Sequence, residues 1–448
     1  MKLNVSTLPQ PRQHLSADGL FATLRARFGK FTDARTDPAI PLEDALLSGL
    51  AVFALKDPSL LAFEERRSER NLRALFGIER APSDTQMREI LDLLDPEQLR
   101  AAFSDVFRAL QRGKALEPLV FHDGAYLLAL DGTGYFSSTK VHCPSCLEKV
   151  NSKTGVTTYH HQMLGAALVH PDSRAVIPLA PEPIIKQDGT TKNDCERNAC
   201  KRLLEKIRRE HSHLKLIVIE DALASNAPHI EELMRHRMHY ILGVKPGDHK
   251  FLFDRWVEAH DAGAATTVTW ELPKGGTGEA SFAHGLPLNA SHQDLRVNFL
   301  QYVETDHNGK TVKQFTWVTD LDITQENARH LVAGARARWK IENETFNTLK
   351  NQGYHFEHNF GHGQKNLSVV FAMLMMLAFL VDQTQQLCCP LFQAVVAQYR
   401  TRRSLWEKLR SHFYHFEFTS MRHMYEVILL GLGKNVTAPQ VAPQADTG

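Results

Sequence analysis

"ARWKIENETFNTLKNQGYHFEHNFGHG", residues 337–363, carries the pattern on which the reading of the chain turns. Glu342 and Glu344 stand among apolar residues at helical spacing, with Arg338 one turn before the first and Lys350 two turns after it. A solvated ladder of ion pairs is one account, and such i,i+4 pairs contribute only about 0.2–0.5 kcal/mol each. The other account gives the carboxylate a metal ion and the cations phosphate. "LSVVFAMLMMLAFLVD", residues 367–382, follows directly. Its uncharged run of about 15 residues falls short of the roughly 20 that a spanning helix needs, so a buried, methionine-rich core helix is expected.

Working outward, residues 1–118 read as helical. "PLEDALLSGLAVFALKD" and "PEQLRAAFSDVFRALQRG" both carry apolar residues at helical spacing. Between them, "FEERRSERNLRALFGIERAPSDTQMREILDLL" suggests two helices around a glycine-containing turn, the second capped by Ser83 or Asp84. A helix-turn-helix presenting Thr85, Gln86 and Arg88 to DNA and an ordinary helical hairpin fit this pair equally well. The texture changes at residue 119. "LVFHDGAYLLALDGTGYFSS" reads as a strand ending in Asp131, and "HQMLGAALVHPDSRAVIPLAPEPI" as two more strands. "NDCERNACKRLLEKIRREH" is a helix with Asp194 as its expected N-cap. It leads into "LKLIVIEDALASNAPHIEELMRH", a buried strand stopping at Asp221 before another helix. Alternating segments between about 250 and 318 are β-like, and helices close the chain.

This order predicts an α/β fold with a mixed sheet flanked by helices, interrupted by a β-rich insertion and preceded by an all-α N-terminal domain. The expected boundaries are 1–118 for a helical DNA-binding domain, 119–249 and 319–432 for the two parts of the core, 250–318 for the insertion, and 433–448 for a disordered Pro/Ala/Gln tail. Hydrophobic residues at 43% and charged residues at 23% of the 448 exclude a disordered chain. A net charge of +1 gives no general attraction to nucleic acid, so any basic surface must be local. The start has no apolar core of a signal peptide, and six cysteines, two adjacent and two in C-x-x-C, do not form a secreted disulfide framework. A cytoplasmic location with no membrane partner is expected.

Asp131 and Asp221 share one context, the carboxyl end of an apolar strand, which is where sites form in open α/β sheets. Two aspartates side by side repel unless a cation lies between them, and Mg²⁺ prefers carboxylate oxygen. A third carboxylate from a helix beside the sheet, Glu342, would complete a site suited to phosphodiester chemistry. Turn or capping roles explain either aspartate alone equally simply. Asp123, also followed by glycine, is a rival, and Glu220 points to the opposite strand face.

Taken together, "LLALDGTGYFSS", "LIVIEDALASNAPHI", "YILGVKPGDH" and "RWKIENETFNTLKNQGYHFEHNFGHG", with "QDGTTKNDCERNA", resemble the bacterial insertion-sequence transposases with a DDE active site on an RNase-H-like fold. More narrowly, they look like the branch with a β-rich insertion before the glutamate. The resemblance covers residues 119–380 or so. It implies Asp131, Asp221 and Glu342 as catalytic and metal-binding residues, with Mg²⁺ (Mn²⁺ able to substitute) as cofactor. It also implies cleavage at the ends of an insertion sequence and joining of the 3′-hydroxyl to target DNA. Double-stranded DNA is the implied partner, with a homodimer in the DNA-bound complex and a nucleoid-associated bacterial location. Arg338, Lys350 and Lys245 are the implied DNA contacts. The family's helix signature is Tyr-x2-Arg-x3-Glu-x6-Lys. Here Ala335 takes the tyrosine position and Lys350 falls one residue late, which leaves Glu344 as a competitor for the third carboxylate. Two other readings are a metal-dependent nuclease of the same fold without strand transfer, and a non-catalytic DNA-binding protein derived from a transposase.

Trp339 is read as a core residue, with stacking on a displaced base as the alternative. Cys143 and Cys146 make half of a zinc site, for which Cys195, Cys200, His160 or His161 could supply the remainder. No clean second half is spaced in the sequence. Reduced, unligated thiols are therefore the expectation and structural Zn²⁺ the alternative. "HFEHNFGHG" gathers His355, His358 and His362 in what reads as a turn before the apolar helix.

Overall fold

Leu127, Leu128, Ala129 and Leu130 are all buried, the pattern of a central strand covered on both faces. The computed structural model describes residues 9–186, 193–273 and 275–431; the expected tail 433–448 and part of "QDGTTKNDCERNA" lie outside them. It contains strands β1 (Val120–His122), β2 (Ala125–Ser138), β3 (Leu147–Val150), β4 (Thr157–Val169), β5 (Ile177–Pro178) and β6 (Glu182–Ile184). After a helix come β7 (Leu216–Glu220), β8 (His239–Gly243), β9 (Thr266–Glu271), β10 (Thr277–Asn289), β11 (His292–Thr305) and β12 (Thr311–Thr319). They form one sheet in the order β3-β4-β2-β7-β8-β12-β11-β10-β9, with β1 beside β2 and β5 and β6 beside β4.

Strands β2, β7 and β8 are parallel, while β4 and β12 run antiparallel on either side of them. Parallel neighbours need crossovers. Helix Glu196–Glu210 leads into β7, and helix Ala227–Arg235 crosses from β7 to β8. This is the expected α/β, RNase-H-like mixed sheet flanked by helices. The segment 250–318 opens with helix Lys250–Asp261 and continues as an antiparallel meander. Its last strand, β12, pairs with β8, so these strands extend the main sheet.

Two local expectations are corrected. Strand β2 does not end at Asp131: antiparallel pairing with β4 carries it on to Ser138. Asp194 is not the N-cap of helix Glu196–Glu210; that position is Cys195, and Asp194 Oδ2 instead accepts from Arg202 Nη2 at 2.7 Å. Ser83 is the N-cap of helix Asp84–Asp92, in a reciprocal capping box with Gln86.

Helix Leu367–Cys388 runs further than the apolar run, to Cys388, and is buried around its circumference from Leu367 to Gln385. It is the one helix among the described residues long and apolar enough to cross a membrane, and protein covers the whole of its most apolar stretch. Helices Leu42–Leu55, Asp84–Asp92 and Arg100–Arg112 pack on it, as does β5. The N-terminal helices therefore share a core with the C-terminal ones; residue 118 marks a change of secondary structure within one continuous core.

Polar ties cross the same junction. Lys56, almost wholly buried, places Nζ 2.5 Å from Asp382 Oδ2 and 4.0 Å from the Trp406 ring centre. The Tyr414 hydroxyl donates to Asp57 Oδ2 at 2.6 Å. Burial pushes the Asp57 carboxyl up to about 6, against the opposing pull of Tyr414, Arg410 and Arg66. The folded chain thus holds a proton there that the unfolded chain releases near 3.8. Stability falls as pH rises between these values, by up to about 3 kcal/mol. Asp57→Asn, which keeps the acceptor for Tyr414, should flatten that slope. Urea midpoints of variant and parent across this window provide the measurement.

Candidate active site

The parallel register of β2 and β7 runs from Tyr126 opposite Leu216 to Ala129 opposite Ile219. Two residues further along each chain are Asp131, still within β2, and Asp221, just past the end of β7; paired strands lie roughly 4.8 Å apart. The chain leaves β2 towards β4 on one side and reaches β7 on the other. This is the switch point at which open α/β sheets build sites. Asp221 opens a turn, its Oδ1 accepting from the Leu223 amide at 2.9 Å. Gly243 in β8 lets the neighbouring backbone approach: a Cβ there would lie 3.2 Å from the Ala222 nitrogen.

Glu342 comes from the helical segment after the insertion. Helix Ala328–Arg336 loosens at Ala337 and Arg338, and Ile341–Phe346 is π-helical before α-helix resumes at Asn347–Asn351. A π-turn accommodates one extra residue within a helix. That is the discrepancy in the sequence, where Lys350 falls one residue late after Glu342. The wider turn absorbs the extra residue, and Lys350 lines the same cleft as Glu342. The segment seats on β2 and β4. Phe346 lies over Gly165, the residue paired with Asp131, where a Cβ would come within 2.7 Å of the ring.

Asp131, Asp221, Arg338, Glu342, Asn343 and Lys350 line one open cleft of about 730 Å³. Arg338 does not pair with Glu342. Its Nη1 lies 3.4 Å from Asp131 Oδ2, and its guanidinium covers the Trp339 ring at 4.6 Å. Lys350 pairs with Glu357 at 3.1 Å. Among the described residues, no ion pair or side-chain hydrogen bond reaches the Glu342 carboxylate. The surface-ladder account of this helix therefore fails. Burial pushes the Asp131 carboxyl up to about 6; Arg338 pulls it down, while Glu342 and Asp221 add to the rise. The three negative charges are thus within reach of one another.

Other residues settle elsewhere. Glu344 lines a separate cavity with Arg174, Asp382 and Trp406. Trp339, expected in the core, is 47% exposed at the cleft rim. Lys245 is exposed just past β8 and is not among the cleft-lining residues. Asp123 occupies the turn between β1 and β2 with φ 47°, and Glu220 faces away, with an oxygen 2.6 Å from His229 Nε2. Gln86 is engaged in its capping box and Arg88 pairs with Asp84, while Thr85 is exposed. Residues 77–83 separate the two helices, a longer link than the 3–4 residues usual in a helix-turn-helix. Cys195 is exposed, and Cys200 lies beside Glu220 and His229, away from Cys143 and Cys146.

Sequence reasoning missed Glu196. This carboxylate touches Gly132 and is raised by burial and then by Asp221 and Glu220. Its only sequence signal is a place in the first turn of a helix, which many glutamates share. The residues suit a hard divalent cation: three carboxylates face one cleft, only Asp131 has a protein cation as partner among the described residues, and no soft ligand stands among them.

An RNase-H-like sheet whose switch point gathers acidic side chains in an open cleft defines the class of protein. Residues 128–380 match the transposase DDE domain family, and the chain belongs to it. No curated protein matches the chain.

Gly165→Ala should force Phe346 off β4 and destabilise the fold by about 1–3 kcal/mol. Phe346→Leu in the same chain should recover most of that stability. Urea unfolding of the single and double variants measures both.

Proposed function

We propose that this transposase-family chain cleaves the ends of an insertion sequence and joins the exposed 3′-hydroxyl to target DNA, with Asp131, Asp221 and Glu342 as the catalytic carboxylates. The observation that carries the reading is their convergence: side chains from two parallel strands and a distant helix face one cleft, and Glu342 has no protein cation to neutralise it. These three carboxylates would hold Mg²⁺, or Mn²⁺ in its place. When bound, the metal would activate the attacking oxygen and stabilise the leaving one.

The chain's own groups do the rest. Arg338, now beside Asp131, offsets part of the acidic charge and is placed to take a phosphate oxygen as DNA enters. Lys350 lines the acidic cleft and also an adjoining groove of about 1160 Å³ with Lys149, Lys153, His160 and Gln162. With a net charge of only +1 for the chain, this local basic stretch supplies the attraction for a DNA backbone. Lys245 would add a contact at the sheet edge beyond β8, and Trp339 on the cleft rim offers a face on which a base could stack.

Asp131→Asn, Asp221→Asn and Glu342→Gln should each abolish Mg²⁺-dependent strand breakage while leaving binding to element ends intact. Glu344→Gln should retain cleavage. The assay is nicking and strand transfer into a supercoiled plasmid, using a pre-cleaved element end. Nicks without joined products would mark a nuclease, and binding without nicks a non-catalytic descendant. Cleavage by any of the three variants would remove that residue from the site.

Lys149→Ala with Lys153→Ala should weaken duplex binding about equally across sequences. It should also lower the salt slope by roughly 0.9 for each phosphate that the lysines no longer neutralise. Fluorescence anisotropy over a salt series measures this, and an unchanged slope would take DNA out of the groove.

A further inference from the structure

Beneath the β3–β4 hairpin, on the side away from His160 and the basic groove, four side chains meet. Cys143 and Cys146 stand in the turn before β3, His161 on β4, and His362 in the segment leading to helix Leu367–Cys388. We infer that Cys143, Cys146, His161 and His362 bind one structural Zn²⁺ that ties the hairpin to the segment carrying His362.

Four of the six distances between the ligand atoms lie within about 0.4 Å of a zinc tetrahedron's. Zinc–sulfur bonds of about 2.3 Å and zinc–nitrogen bonds of about 2.05 Å place tetrahedral ligands about 3.8 Å apart for S···S and about 3.6 Å for S···N. Cys143 Sγ and Cys146 Sγ are 3.8 Å apart. His161 Nε2 lies 3.3 Å from Cys143 Sγ and 3.4 Å from Cys146 Sγ, and His362 Nε2 lies 3.2 Å from Cys146 Sγ. All four ligand atoms fall within 4.8 Å of one another. Pairwise thiol–imidazole hydrogen bonds do not require this closure, because each thiol has one proton to give. A Cys143–Cys146 disulfide would leave the convergence of two imidazole nitrogens without a purpose.

The surroundings fit a closed structural site. Cys143, Cys146 and His161 are buried. The Cys143 amide donates to Cys146 Sγ at 3.3 Å, and the Cys146 amide to the Cys143 carbonyl at 3.1 Å, so the C-x-x-C turn aims both sulfurs inward. His362 Nδ1 lies 3.5 Å from Asn359 Oδ1, the kind of partner that holds a ligating imidazole in its tautomer. The Tyr135 ring stacks on His161 at 5.7 Å and 12°, fixing its orientation. Binding converts both thiols to thiolates and releases their protons to solvent. Because His362 follows Cys146 by 216 residues, the metal closes a long stretch of chain, where a cross-link restricts the unfolded state most.

The test uses the full chain, expressed with zinc in the medium and purified without chelator. Elemental analysis should find one zinc per chain. A chromophoric chelator should release it together with the appearance of two thiols reactive to an alkylating reagent. Co²⁺ in its place should show tetrahedral ligand-field bands and thiolate charge transfer. Cys146→Ser and His362→Asn should weaken zinc binding by more than the roughly 10–100-fold typical of removing an outer partner. His358→Asn, in the same segment but outside the cluster, should bind as the parent does. A chain that carries no zinc, a Cys143–Cys146 disulfide in the fresh protein, or His362→Asn binding zinc as tightly as His358→Asn would each overturn the inference. The chelator release needs no variant, so misfolding of a substituted chain leaves the inference testable. None of these readouts depends on DNA cleavage.

Discussion

The site depends on where the parallel pairing of β2 and β7 stops. Backbone hydrogen bonds hold the two strands in register through Ala129 and Ile219, deep among buried aliphatic side chains. One pleat later the chains carry Asp131 and Asp221. Register in a sheet packed on both faces is held by shape, because a one-residue shift would press each side chain into a space filled to fit its neighbour. The hydrophobic effect thus sets two carboxylates side by side against their mutual repulsion. Burial is the main reason Asp131 holds its proton more tightly than a free carboxyl, and the nearby Glu342 and Asp221 charges add to it. Arg338 relieves part of the repulsion, and a divalent cation would relieve the remainder.

The helix that carries Glu342 is adjusted to meet this fixed pair. In a regular α-helix of 3.6 residues per turn, one extra residue would rotate Lys350 by about 100° around the axis. The π-helical turn at Ile341–Phe346 absorbs that rotation, so Glu342, Asn343 and Lys350 face the cleft while Glu344 looks into another cavity. Gly165 allows the turn to sit close, since only a residue without a side chain leaves space for the Phe346 ring beside the strand pair. Irregularity in the helix and absence of a side chain in the strand are complementary features of one contact.

Much of this was legible in the sequence. The crossover helices, the β-rich segment and the buried methionine-rich helix all follow from short-range periodicity, which local spacing encodes. What could not be read were facts set by distant partners. Strand β2 outruns Asp131 because β4 pairs with it, and no residue near Asp131 announces that. Trp339 looked like core because tryptophan usually is; it stands at the cleft rim instead, with the Arg338 guanidinium over its ring. The one-residue offset before Lys350 was visible but looked like a mismatch, since a π-turn has no compositional mark. His362 could not be matched to Cys146 for the same reason: the two meet only after the whole sheet and the insertion have folded between them.

The shared core explains how these distant facts are kept in place. Helix Leu367–Cys388 lies within the N-terminal helices, and Asp92 at the end of helix Asp84–Asp92 accepts from the amides of Gln364, Lys365, Asn366 and Leu367 at 2.8–3.0 Å. Those amides lead into the buried helix and lie two to five residues after His362. The N-terminal helices, the Cys/His cluster and the hairpin bordering the basic groove are therefore joined through one short segment, residues 362–367. Lys350 borders both the groove and the acidic cleft. The helices that precede and follow the sheet thus share one core with it and hold its acidic edge in place.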